Sequence, residues 1–388
     1  MDRDKNYQGT SLYDLPVHVC SSIADLPWEG ERPYIVCASS NHWLELEREH
    51  LKAGYEKWVD FVSTNDLSRY NYQIDIMGVC NLRCPSCPRG NYESQPSSGS
   101  MSPETFEAIV DHVLSESPAT AQIALYNWGD PLLHPKLPEI LEIMRSKGVF
   151  SILSSNLSID RDLEPVVRAK PGWLRVSLSG YHQQTYGRTH RRGQIDLVKS
   201  NLYRLRYLID KYRSDLVVEV NYHMYKSNLD DYEDMNRLCQ ELGFLFDPIV
   251  AFFMPVEKLL DYVEGISNEE TKSTISNLLL PIEDVLKIAH NVQRDQCNLY
   301  SKQIIINWDS SVSICCVTFD PDKSIVHPNF LEATPDGIIA AKAGNTICDG
   351  CMKHGLHEYY WNLDPQRARE VVNREIQSTV GSTEKIAV

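Results

Sequence analysis

Residues 80–87 read Cys80-Asn81-Leu82-Arg83-Cys84-Pro85-Ser86-Cys87, three thiols at C-x3-C-x2-C directly after the strand-like run YQIDIMGV that begins at Tyr72. Soft thiolates at this spacing can hold three irons of a cubane while leaving the fourth iron without a protein ligand. Structural zinc also takes thiolates, but it closes a tetrahedron with a fourth Cys or His, and none lies close in sequence.

Outward from that loop the pattern is strand, loop, helix, repeated. Ser102 caps a helix with Pro103 at its first position and Phe106, Ile109, Val110, Val113 and Leu114 on one face. The strand QIALYNW follows, then a helix with Leu137, Ile140, Leu141 and Met144 in register and Gly148 at its end, then the strand FSILSS. WLRVSLS, LVVEVNYHM and FDPIVAFFM continue the series. Six or so such repeats predict an α/β protein with a parallel sheet and an active site at the strand C-termini.

The cysteine loop resembles that of the radical S-adenosylmethionine (SAM) superfamily, in which SAM occupies the open iron and is cleaved reductively to a 5′-deoxyadenosyl radical. The resemblance implies a partial (β/α)6 TIM barrel over residues 71–255. It also implies that Asn127-Trp128-Gly129-Asp130-Pro131 stands for the G-G-E-P motif that binds the SAM amino group, with Asp130 in place of the usual Glu. Ser154, Ser155 and Asn156 end the next strand and Ser177 and Ser179 the one after, where the family places ribose and carboxylate contacts. Ser86 departs from the aromatic residue usual before the third cysteine, so adenine contacts are expected elsewhere, from Met77 or Tyr126.

Residues 256–294 read as a helical connection. CNLYSKQIIINWDSSVSICC then looks like a β-hairpin turning at Asp309, Ser310 and Ser311 with a cysteine at each outer end, and ICDGCMKHG adds C-x2-C. Cys297, Cys315, Cys348 and Cys351 thus form a four-thiolate set, suited by ligand type to zinc or to an iron–sulfur cluster. Their order resembles the twitch domain, the short form of the SPASM domain, and most of all the twitch-bearing dehydrogenases of aminocyclitol biosynthesis. That likeness implies an auxiliary [4Fe–4S] cluster in residues 295–360, the second of two, before a tail at 361–388. Cys316 follows Cys315 directly, and strand neighbours face opposite sides. One of the pair faces the cluster, and the other is a packed thiol or a hydrogen-atom donor.

Residues 1–66 alternate short strands and a helix: PVHVC, PYIVCAS, WLELEREHLKAG and WVDFV. This small α/β unit resembles a shortened Rossmann-like domain at the front of some sugar-modifying proteins. It has no G-x-G-x-x-G, so nucleotide binding has no support. Cys20 and Cys37 read as core thiols.

Lys and Arg number 38 against 53 Asp and Glu, a formal charge of −15, which repels a phosphate backbone and disfavours nucleic-acid partners. No apolar run reaches the roughly 18 residues of a membrane helix, and MDRDKNYQGT is neither a signal nor a transit peptide. A cytoplasmic protein is expected.

A fully thiolate-ligated auxiliary cluster has no open iron, so the function expected of it is electron transfer. Hydrogen abstraction beside a hydroxyl, followed by loss of the hydroxyl proton, then oxidises an alcohol to a ketone. Arg188, His190, Arg191, Arg192, Tyr222 and His223 are the candidates to assist at the hydroxyl or bind anionic groups, with Arg191 expected to bind the cofactor through the SAM carboxylate. The alternatives are redox-neutral epimerisation with Cys316 as hydrogen donor, peptide modification, and a non-enzymatic metal scaffold. A small polar substrate, a sugar, nucleotide sugar or aminocyclitol, is preferred, with an electron donor such as flavodoxin or ferredoxin.

Overall fold

The computed structural model describes residues 11–12, 15–16, 35–37, 43–57, 59–63, 69–290, 297–361 and 363–380. The chain divides into two units, residues 1–69 with 117–121 and residues 70–116 with 122–388. In the first, β1 (Ser11–Leu12) and β2 (Leu15–Pro16) pair antiparallel, while β3 (Ile35–Cys37) and β4 (Phe61–Ser63) pair in parallel. Parallel neighbours need a crossover, and the helix Trp43–Lys52 lies between these two in the chain. Cys20 lies outside the described residues, as do the surroundings of the Cys37 side chain.

In the second unit alternation decides the strands. Every second residue of β5 (Asn71–Ile74) is buried, and the same holds for β6 (Gln122–Ala124), β7 (Phe150–Ser155) and β8 (Trp173–Leu178). That is the period of a sheet with one densely packed face. β9 (Val217–Met224) and β10 (Leu245–Val250) follow, and all six pair in parallel in chain order. The packed face meets helices such as Pro103–Glu116, through Phe106, Ile109, Val110 and Val113, and Leu137–Ser146, through Leu137, Ile140, Leu141 and Met144. Ser102 Oγ accepts from Thr105 N at 3.1 Å to cap the first of these, and Gly148 at φ +70 ends the second. The result is an α/β fold with a parallel sheet whose strand C-termini share one rim.

The cysteine-bearing C-terminal hairpin forms as β11 (Gln303–Ile306) and β12 (Val312–Ser313), paired antiparallel; β11 also pairs in parallel with β5, and β12 pairs antiparallel with β13 (Ile325–His327), giving one nine-stranded sheet. Ile304 and Ile306 fall level with Tyr72 and Ile74, so the apolar face of β5 continues across the junction. Helices at Val256–Val263, Glu269–Ser276 and Ile282–His290 fill the connection before it; residues 291–294 of that stretch lie outside the described residues. The tail carries a helix at Pro365–Val380. Among the described residues no helix is long and apolar enough to cross a membrane.

Candidate active site

Cys80, Cys84 and Cys87 lie on the loop after β5, and each thiol is partly buried. Cys87 N donates to the Cys84 carbonyl at 3.1 Å, and Cys87 caps the short helix Pro88–Asn91. Burial pushes the Cys80 thiol up to about 12, and the nearby Asp130 carboxylate adds to it. Burial lifts Cys87 to about 11. Cys84 rises too, from burial and then from the charges of Cys87 and Cys80. Three thiols that resist ionisation and repel one another once ionised become thiolates together only around a cation. The donor set therefore fits three irons of a cluster.

The next strand ends close on this loop. Asp75, just past β5, accepts from Trp128 N at 3.0 Å and from Gly129 N at 3.2 Å; burial pushes it up to about 6. A Cβ on Gly129 would sit 1.4 Å from the Met77 carbonyl oxygen, so only glycine allows the approach. Asn127 Oδ1 accepts from Gln73 at 3.1 Å, while its buried Nδ2 has no partner among the described residues. That free donor beside the cysteine loop suits an acceptor group on a bound cofactor.

Asp130 departs from its expected task. Its Oδ1 accepts from Leu132 N at 3.0 Å; its Oδ2 accepts from Ser155 Oγ at 2.9 Å, Asn156 N at 2.9 Å and Asn156 Nδ2 at 2.7 Å. Four donors match the roughly four lone-pair sites of a carboxylate. Asp130 thus binds the end of β7 to its own loop rather than presenting a free acceptor. Asn156 Nδ2 also reaches Asn81 Oδ1 at 2.9 Å, which carries the link into the cysteine loop. Ser154 and Ser177 face each other at 3.3 Å, and Ser179 contacts Thr189 and His190 Nδ1, the latter at 2.6 Å. Ser86 lies 2.7 Å from the Tyr225 hydroxyl, so a tyrosine from beyond β9 fills the space beside the missing aromatic. Tyr126, expected near adenine, accepts from Arg175 at 3.2 Å.

On the less packed face of the sheet stands a polar layer that spacing alone does not reveal. Arg175 pairs with Glu219 at 3.2 Å, and Asn221 donates to Glu219 at 2.6 Å and to Asp247 at 2.8 Å. His223 shares this face by alternation, and its ring centroid is 6.1 Å from that of His190. Burial lowers His190 to about 3 and His223 to about 4, so both rings are neutral at pH 7.

Tyr222 is a correction. One residue from His223, it points to the opposite face, fully buried against Tyr232 and Phe246, with its hydroxyl donating to the Asn228 carbonyl at 2.7 Å. It is core. Arg188 is exposed. Arg191, expected to bind cofactor, turns its guanidinium to Glu270 at 2.6 Å on the surface, although its carbonyl accepts from Arg83 N at 3.0 Å.

Cys297, Cys315, Cys348 and Cys351 line one cavity, together with Val256 and Ile314. Cys348 and Cys351 stand one turn apart on the helix Thr346–Lys353. Cys316 is not in that lining. The strand argument for the Cys315 and Cys316 pair does not hold, because β12 ends at Ser313 and the pair lies in the turn beyond it. Among the described residues no group of three or more His, Cys, Asp or Glu forms a site for a single metal ion.

The Radical SAM superfamily model matches residues 74–239. Among curated proteins the chain is 23% identical over 169 residues to the AdoMet-dependent heme synthase of Oleidesulfovibrio alaskensis, covering 44% of this chain and 42% of that protein. It is 26% identical over 136 residues to the GTP 3′,8-cyclase of Chlorobaculum tepidum, covering 34% and 40%. The chain thus spans less than half the length of these relatives. Among solved structures it is similar to BtrN in complex with AdoMet and 2-DOIA, with TM-score 0.39, 14% identity and coverage of 76% of this chain and 90% of that one. Native anSMEcpe with bound AdoMet gives TM-score 0.47, 14% identity and coverage of 80% and 97%.

Proposed function

We propose that this chain, whose residues 74–239 carry the Radical SAM superfamily segment, oxidises an alcohol of a small polar substrate to a ketone. The observation that carries the reading is the convergence of Cys80, Cys84 and Cys87, partly open, on one rim with the segments that follow β6 and β7. Cys80, Cys84 and Cys87 would hold a [4Fe–4S] cluster with SAM, and Cys297, Cys315, Cys348 and Cys351 an auxiliary one. When bound, these groups supply a hydrogen-abstracting 5′-deoxyadenosyl radical and an electron acceptor.

The remaining work falls to the chain itself: binding a polar substrate, receiving the hydroxyl proton and excluding water. Arg175, Glu219, Asn221 and Asp247 offer charge-assisted hydrogen bonds to hydroxyl and amino groups. His223 is neutral at pH 7 and has no hydrogen bond to its ring among the described residues, which leaves it able to take the proton. The substrate class is a sugar, nucleotide sugar or aminocyclitol, and an external donor such as flavodoxin or ferredoxin supplies the first electron.

The test is anaerobic reconstitution with iron and sulfide, reduction with SAM present, and detection of 5′-deoxyadenosine. Cys84→Ala should abolish it. A panel of C–H-deuterated sugars and aminocyclitols then reads the second half: deuterium in 5′-deoxyadenosine with a ketone product supports oxidation. Deuterium loss with solvent hydrogen incorporated, and no ketone, supports epimerisation instead. The place of Cys316 outside the four-cysteine cavity keeps that second reading, since this thiol is left for another task.

A further inference from the structure

Lys342 lies at the end of the helix Pro335–Ala341 and is wholly buried, at 0% exposure. Its ammonium donates to the carbonyls of Leu299 at 3.4 Å, Tyr300 at 3.2 Å and Gln303 at 2.6 Å. Three acceptors satisfy its three N–H groups but leave its charge uncancelled, and among the described residues it forms no ion pair with a carboxylate. Taking a lone ammonium out of water is strongly unfavourable unless an opposite charge stands near.

The opposite charge is close by. Two of the three carbonyls belong to Leu299 and Tyr300, in the short helix Asn298–Lys302 that Cys297 caps, and these two residues line the same cavity as Cys297, Cys315, Cys348 and Cys351. A [4Fe–4S]2+ core held by four thiolates carries two net negative charges. We infer that Lys342 is the internal counter-charge of an anionic metal–thiolate centre on Cys297, Cys315, Cys348 and Cys351, stabilising its more reduced form where the metal is redox-active. The inference rests on the auxiliary-centre part of the proposed function. It adds a residue that has no place in the ligand set.

The experiment uses the full chain with Cys80, Cys84 and Cys87 replaced by Ala, reconstituted anaerobically, so that only the second centre remains. Iron is counted, and the midpoint potential is read by EPR-monitored titration. Lys342→Gln keeps a donor and removes the charge; Lys342→Arg keeps the charge. With iron bound, the Gln variant should move the potential down by a tenfold or greater change in the reduction equilibrium, 59 mV for one electron, and the Arg variant should stay within threefold of the parent. An unchanged Gln variant, or an Arg variant that shifts as far as Gln, overturns the role of Lys342 and leaves the centre standing. A chain that retains no metal removes both. A purely structural lysine would change the melting temperature of the metal-free protein without this split between Gln and Arg.

Discussion

The Asp130 carboxylate takes hydrogen bonds from both the backbone N–H and the side-chain amide of Asn156, at 2.9 and 2.7 Å. Burial pushes Asp130 up to about 6, so at neutral pH it is ionised and held by its four donors. Asn156 in turn reaches Asn81 in the cysteine loop. Asp130→Asn places an NH2 against groups that are themselves donors. With hydrogen bonds to a charged group worth about 1.5–3 kcal/mol each, the variant should lose about 3 kcal/mol or more of stability in urea titration. Iron retained after reconstitution should fall with it, and wild-type stability would show that the contact is not needed.

Gly129 gives a steric test of the same junction. A methyl group there would meet the Met77 carbonyl oxygen at 1.4 Å, a backbone atom that cannot swing away. Gly129→Ala should therefore destabilise by about 3 kcal/mol or more and prevent cluster assembly, seen as loss of the iron–sulfur absorbance. A folded, iron-loaded Ala variant would mean that Asp75 and Gly129 are not held together as the structure has them.

Tyr222 and His223 separate core from chemistry by one residue. The Tyr222 hydroxyl serves the buried Asn228 carbonyl, so Tyr222→Phe should cost about 1–2 kcal/mol of stability and leave kcat unchanged. His223→Gln should do the reverse: stability held within about 1 kcal/mol, and turnover reduced about 100-fold, the low end of what a positioned base contributes. Equal losses of turnover in both would return Tyr222 to the site.

The parity of these two residues marks how far the sequence could be read. Alternation of apolar residues located β7 and β8, and the spacing of Cys80, Cys84 and Cys87 is a local signal, so the parallel sheet and the cysteine loop at its rim were legible. Which of Tyr222 and His223 faces the rim depends on register, and register belongs to the neighbouring strand. Arg175, Glu219, Asn221 and Asp247 meet across three strands, and the pairing of Gln303 with Asn71 joins segments far apart in the chain. No spacing rule reaches those contacts. Asp75 did leave a trace, a lone charge inside YQIDIMGV, whereas Lys342 in the run AAKAG looks like any surface lysine.

His190 should make acid unfolding steeper. Its folded value of about 3 lies below the 6.5 of an ordinary histidine, chiefly through burial. Below pH 6.5 the unfolded chain therefore binds a proton that the folded one refuses. Stability from this group rises with pH across that window and is lost as pH falls from 6.5 towards 3. By pH 4.5 the loss amounts to about 2–3 kcal/mol. Metal-free wild type and His190→Gln, compared by urea titration at pH 7 and pH 4.5, should draw together in stability, or cross, at the lower pH. A constant gap would show that His190 titrates normally.

Cys315 and Cys316 are adjacent in sequence but unequal in place. Cys315 lines the cavity with Cys297, Cys348 and Cys351; Cys316 lies outside it, its N–H donating to Gln303 Oε1 at 3.1 Å. With both centres of the proposed function filled by [4Fe–4S] clusters, about eight irons are expected. Cys315→Ala should leave about four, because a four-thiolate site that loses one ligand holds its cluster poorly, whereas Cys316→Ala should keep all eight. Turnover of the Cys316 variant then divides the two reactions. A dehydrogenase tolerates the loss of this thiol, while an epimerase deprived of its hydrogen donor still makes 5′-deoxyadenosine but releases no inverted product. Iron lost from the Cys316 variant instead of the Cys315 variant would exchange the two residues and place Cys316 on the metal.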